Sequence, residues 1–184
     1  MADCQALLKS INSYINKIDD ELTDALDEAG FINTRELTGE ITTLEELIAR
    51  ALTGETRFIM QHLRDAVDLG EFAAAWIDIK IFDNTDNILA QIFYDSFMVN
   101  VPKIATSYVK EIDSALTIEK ITKRTLDWAK EWSEELGRLM KLATHDTIEH
   151  LLTENLRVGN SVADFTRDLM DNGIRNEYHR ARAA

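Results

Sequence analysis

Apolar residues recur every third or fourth position along almost the whole of this sequence, and one proline, Pro102, is the only residue of its kind. That spacing puts apolar side chains on one face of a 3.6-residue helix. Seven glycines in 184 residues add few further breakers, so the chain favours long helices over many short strands. The expected fold is all-α: an elongated multi-helix bundle of long amphipathic helices with no significant sheet.

The length suits one continuous helical domain or one domain with an extension, enough to bury a real core. A formal net charge of −13 is unevenly spread: residues 1–100 hold 7 basic against 19 acidic residues, and residues 101–184 hold 13 against 14. The acidic front half repels phosphate backbones, which argues against nucleic-acid binding by residues 1–100. The balanced back half ends on Arg175, Arg180 and Arg182, opposed in the last ten residues only by Glu177. The division expected on these grounds is an acidic helical region over 1–116 and a second helical region over 117–184.

Cys4 is the single cysteine, which excludes an intramolecular disulfide and a multi-cysteine metal site and suits a reducing compartment. The N-terminal residues lack a basic segment followed by an apolar core, so no secretory signal is expected. The longest apolar run, Phe72 to Ile77, is far too short to span a bilayer, and no membrane partner is expected.

In chain order, residues 4–29 read as an amphipathic helix whose stripe runs Cys4, Leu7, Ile11, Tyr14, Ile18, Leu22, Ala25 and Ala29, with Gly30 placed as its C′ glycine. The stripe suits packing within the monomer or self-association through this helix. Residues 31–42 read as a polar connector, and Thr43-Leu44-Glu45-Glu46 as a capping box opening the next helix. Gly54 is a candidate interruption, and the apolar spacing then continues to Gly70. Residues 71–100 form the most apolar part and read as one long buried helix, with a break and new N-cap at Asp83-Asn84-Thr85-Asp86. A short strand over Ile77, Ile79 and Ile81 is the alternative. Pro102 fits N1 of a new helix, or a kink within a longer one.

Thr117 is the next candidate N-cap, followed by a helix holding Trp128, Trp132 and Gly137, the last marking a close helix contact or a bend. Trp128 and Trp132, one turn apart, serve either as core packing or as an exposed aromatic partner patch. A further segment, Thr144 to Leu156, precedes the clearest stop signal in the chain. Gly159 ends that segment, and Ser161-Val162-Ala163-Asp164 restarts a helix with an acid at N3.

Catalytic chemistry finds no motif. His145 and Glu149, and Asp146, His150 and Glu154, share helix faces at four-residue spacing, which reads as solvated i,i+4 pairs rather than a metal or acid–base site. The paired Glu-x-x-His of di-iron bundles is absent, as are His-Glu-x-x-His, a P-loop, a dinucleotide-binding glycine fingerprint and a nucleophile elbow. Cys4 lies on an apolar stripe, where a small buried hydrophobe is the expected role. No enzyme activity, cofactor or metal is expected.

The back third resembles the phage Mu F-like minor head protein family, also called phage head morphogenesis proteins. The resemblance rests on Trp128-Ala129-Lys130-Glu131, on Glu135-Leu136, on Thr144-x-x-Thr147-Ile148-x-x-Leu151-Leu152, and on Leu156-x-x-Gly159-x-Ser161-Val162-x-x-Phe165-x-x-x-Leu169. The closing Arg180-Ala181-Arg182-Ala183-Ala184 resembles the run-up to the family's Ala-Arg-Thr-Glu signature, which does not itself occur. The resemblance implies a non-enzymatic component of a tailed-phage or prophage head, present in the host cytoplasm during assembly and then in the virion. Portal, capsid or scaffold proteins are the implied partners, and the chain is the implied N-terminal part of a longer protein. Trp128, Trp132, Arg175, Arg180 and Arg182 are the candidate partner contacts. The alternative is a bacterial helical interaction module that self-associates.

Overall fold

A computed structural model of the chain describes residues 19–114 and 123–171. Every regular element among them is an α-helix: α1 over residues 19–28, α2 Thr34–Asp65, α3 Leu69–Phe82, α4 Thr85–Ile112, α5 Lys123–Val158 and α6 Val162–Asp171. The all-α bundle expected from the spacing is the fold.

Two compact units divide these residues, each built from two separate stretches of chain. One comprises residues 19–44 and 99–114, the other residues 45–98 and 123–171. In the first, α1 ends at Gly30 with φ +80°. The Phe31 N–H reaches Leu26 O and the Gly30 N–H reaches Asp27 O, the paired bonds of a Schellman cap, for which glycine carries no Cβ penalty. Within the same unit Thr23 and Thr38 share a hydroxyl hydrogen bond of 2.9 Å, Asn33 Nδ2 donates to Ser107 Oγ at 2.9 Å, and Lys103 pairs with Glu40. The N-terminal stripe expected over 4–29 is described only from residue 19, and Cys4 lies outside the described residues.

The second unit holds the main apolar core. Ile59 and Leu63 of α2, Leu69, Phe72, Trp76 and Ile79 of α3, Ile148 and Leu152 of α5, and Phe165 and Leu169 of α6 form one buried cluster. The α3 residues follow a three-four spacing, so one helix face fills the cluster. Phe72 packs against Trp76 and Phe165 at centroid distances of 5.8 and 5.7 Å, within the range for tilted aromatic pairs.

Several sequence expectations are corrected here. Residues 34–42 are helical rather than a connector, and Thr43-Glu46 lies inside α2. The Thr43 hydroxyl donates to the Gly39 carbonyl at 2.9 Å, the intrahelical bond such a residue makes when the turn before it is already helical. Gly54 does not interrupt α2. That helix ends at Asp65, and Asp68 caps α3 by accepting from the Glu71 N–H. Residues 71–82 are helical and not a strand, and the break falls at Asp83-Asn84 as expected. The segment is not buried throughout, however, because Ile77, Ile81 and Phe82 are exposed on the remaining faces of α3. Pro102 lies inside α4 rather than at its start, so the Met98 carbonyl has no N–H at the i+4 position. Thr144–Leu156 is no separate segment but part of the 36-residue α5. Thr117 lies outside the described residues.

The stop at Gly159 stands as read. Gly159 has φ +78°; its N–H bonds Leu156 O and the Asn160 N–H bonds Asn155 O, a second Schellman cap. Ser161 then caps α6: its hydroxyl meets the Asp164 N–H at 3.2 Å, and Asp164 Oδ2 accepts from the Ser161 N–H at 3.2 Å. This is a reciprocal capping box. The Ser161 hydrogen bonds, with help from Arg167, hold the Asp164 carboxyl below its usual range.

Candidate functional site

Two features of the second unit are candidates for a functional site: a half-exposed aromatic pair on α5, and a buried polar cluster where α2, the α3–α4 turn and α5 meet.

The aromatic pair is Trp128 and Trp132, each 48% exposed. Helical spacing sets them on one face, one turn apart. Trp128 leans on Phe97 of α4 at 5.5 Å between ring centroids. Neither is a core residue; Ala129 and Ser133, one position further on in each turn, are buried in their place. Ser133 donates to the Ala129 carbonyl at 2.6 Å, which satisfies its hydroxyl inside the contact. The tryptophans are thereby left half-exposed on the outer flank of α5. Arg175, Arg180 and Arg182 lie outside the described residues.

The polar cluster is a correction. His145 is 7% exposed rather than solvated, and its partner is not Glu149 but Asp83. His145 Nε2 and Asp83 Oδ2 lie 2.8 Å apart. Asp83 also accepts from the Thr85 N–H at 3.0 Å and from its hydroxyl at 2.6 Å, and Lys141 bonds its carbonyl oxygen. Burial by itself raises the Asp83 pKa. The hydrogen bonds from His145 and Thr85, with the Lys141 charge, outweigh it and hold the carboxyl below its usual value. Glu55, from α2, is 2% exposed and accepts from the Thr144 hydroxyl at 3.1 Å.

One ligand atom each from Glu55, Asp83 and His145 lies within 4.8 Å of the others. Trp76 covers the imidazole edge-on, with centroids 5.4 Å apart and planes at 72°. On the far side its indole N–H donates to Glu149 at 3.2 Å, and Lys80 also pairs with Glu149. Lys80 first, with Trp76 beside it, lowers the Glu149 pKa against a smaller effect of burial.

The inward face of His145 was readable in principle, since it precedes Ile148 by three and Leu152 by seven on one stripe. Its partners were not, because Asp83 lies 62 residues away and Glu55 approaches through another helix. Asp146, His150 and Glu154 hold no such cluster: Glu154 pairs with Arg157 at 2.7 Å on the surface. No described helix is long and apolar enough to cross a membrane.

No protein-family model matches the chain, and no solved structure matches it. The chain is similar to YqbB of Bacillus subtilis (strain 168), itself described as an uncharacterized protein, with 24% identity over 176 residues. That match covers 90% of this chain and 57% of YqbB, so the chain spans little more than half the length of that relative.

Proposed function

We propose that this chain is a non-enzymatic structural protein of a tailed-phage or prophage head, docking on the portal vertex or procapsid during head assembly. The observation that carries the reading is the half-exposed Trp128–Trp132 pair, set inside the stretch whose residues resemble the minor head proteins. Tryptophans of this kind are anchors of protein interfaces, with large area and little side-chain entropy to lose. The helix-stop-helix at Gly159–Ser161, the other mark of that resemblance, is well formed. On this reading the protein works in the host cytoplasm and then resides in the virion head.

Co-expression with a tailed-phage portal protein tests the reading. A complex retained by the parent chain and lost by Trp128→Ala/Trp132→Ala, with helicity unchanged, is the expected result. If no complex forms with portal, scaffold or capsid proteins, the head assignment fails.

A second reading, a helical module that self-associates, is favoured by exposed Ile77, Ile81 and Phe82 on α3. Sedimentation separates the two, because only this reading requires a concentration-dependent oligomer that Ile77→Lys/Ile81→Lys dissolves.

A further inference from the structure

We infer that Glu55, Asp83 and His145 form a structural site for one divalent transition-metal ion of the zinc class. The inference is independent of the assembly reading, since it rests on the interior of the second unit and on none of its surface.

Three observations carry it. The donors come from three places in the chain, α2, the α3–α4 turn and α5, and converge so that one ligand atom of each lies within 4.8 Å of the others. All three residues are buried, at 2%, 5% and 7% exposure, whereas carboxylates are almost never buried unless paired or coordinating. The ligand atoms are also held from behind. Thr144 donates to Glu55, Thr85 donates twice to Asp83, and Trp76 packs edge-on against the imidazole. Ligating carboxylates with their own hydrogen-bond support are the usual construction of a metal site.

The donor set selects the ion. Two carboxylates and one imidazole suit zinc, manganese or cobalt, whereas magnesium and calcium prefer oxygen ligands throughout. An ion here takes the place of the proton between His145 Nε2 and Asp83 Oδ2. Lys141 lies on the backbone side of Asp83, bonded to its carbonyl and paired with Asp86 at 3.3 Å. Its charge weakens cation binding, while Asp86 offsets part of it. The three donors are buried and come from α2, the α3–α4 turn and α5, so the ion's proposed role is to fasten these elements together, with a water completing the fourth position that three protein ligands leave open.

The test uses the full chain stripped of metal and titrated with zinc chloride, with magnesium chloride as the comparison. The expected result is one saturable zinc equivalent. At zinc a hundred times its dissociation constant, the unfolding equilibrium constant falls about a hundredfold. Magnesium leaves it unchanged. Glu55→Gln, which keeps the shape and the Thr144 acceptor, removes the zinc effect, as does His145→Gln, while His150→Gln on the exposed face of α5 retains it. If the variants do not fold, zinc must still shift the His145 ring signals of the parent chain before those of His62 and His150. No saturable equivalent, an equal effect in Glu55→Gln, or first occupancy at His62 or His150 overturns the inference.

Discussion

Gly137 of α5 faces the backbone of Ala90 on α4 so closely that a methyl group built on it would lie 2.9 Å from the Ala90 nitrogen, and nearer still to the Asp86 carbonyl oxygen. The two helices touch backbone to backbone at this point, and neither neighbour is a side chain that can swing aside. Gly137→Ala is therefore expected to destabilise the fold by about 1–3 kcal/mol, although alanine gains about 1 kcal/mol of helix propensity. Gly54→Ala, at an exposed site on α2 where a Cβ meets nothing within 4 Å, is expected to stabilise by up to about 1 kcal/mol. Urea unfolding of the two variants against the parent reads the opposite signs directly.

The buried Asp83–His145 pair makes stability depend on acid. The Asp83 pKa is lowered in the folded state, so its contribution is complete above the ordinary carboxylate pKa of about 3.9. That contribution fades as pH falls from there through the lower folded value. Asp83→Asn is expected to cost about 1–3 kcal/mol at neutral pH, and to flatten the fall in stability below about pH 4. Melts from neutral to strongly acidic pH compare the slopes; parallel curves would show that Asp83 is not the group responsible.

Phe165 is fully buried against Phe72 and is the main anchor of the ten-residue α6. Phe165→Ala is expected to cost about 3–5 kcal/mol. Hydrogen exchange should then show the α6 amides losing protection ahead of those of α5. Trp132→Ala, at a half-exposed ring, should cost markedly less.

The turn between α5 and α6 is held by backbone conformation and by its cap. With nothing within 4 Å of a Cβ at Gly159, Gly159→Ala isolates the cost of the positive φ, about 1–2 kcal/mol. Ser161→Ala removes one side of the capping box and is expected to cost about 1 kcal/mol. Thermal unfolding of the single and double variants tests whether the two costs add.

The helical class, the breaks at Gly30, Asp83-Asn84 and Gly159, and the capping of α6 by Ser161 and Asp164 follow from the chain's own short-range signals. These are local matters: a glycine at positive φ and a hydroxyl three residues before a carboxylate act within one turn of chain. Local signals also misled. Thr43-Glu46 looked like a helix start and Pro102 like a boundary, yet both lie inside long helices, because the helical context on either side outweighs one propensity. Tertiary structure decided what each helix face packs against. It turned Trp128 and Trp132 outward while burying Ala129 and Ser133, and it set Gly137 against the α4 backbone. It also brought Glu55 and Asp83 to His145. Period counting places a residue on a face of its own helix, but the partner of that face comes from chain tens of residues away, and only packing selects it.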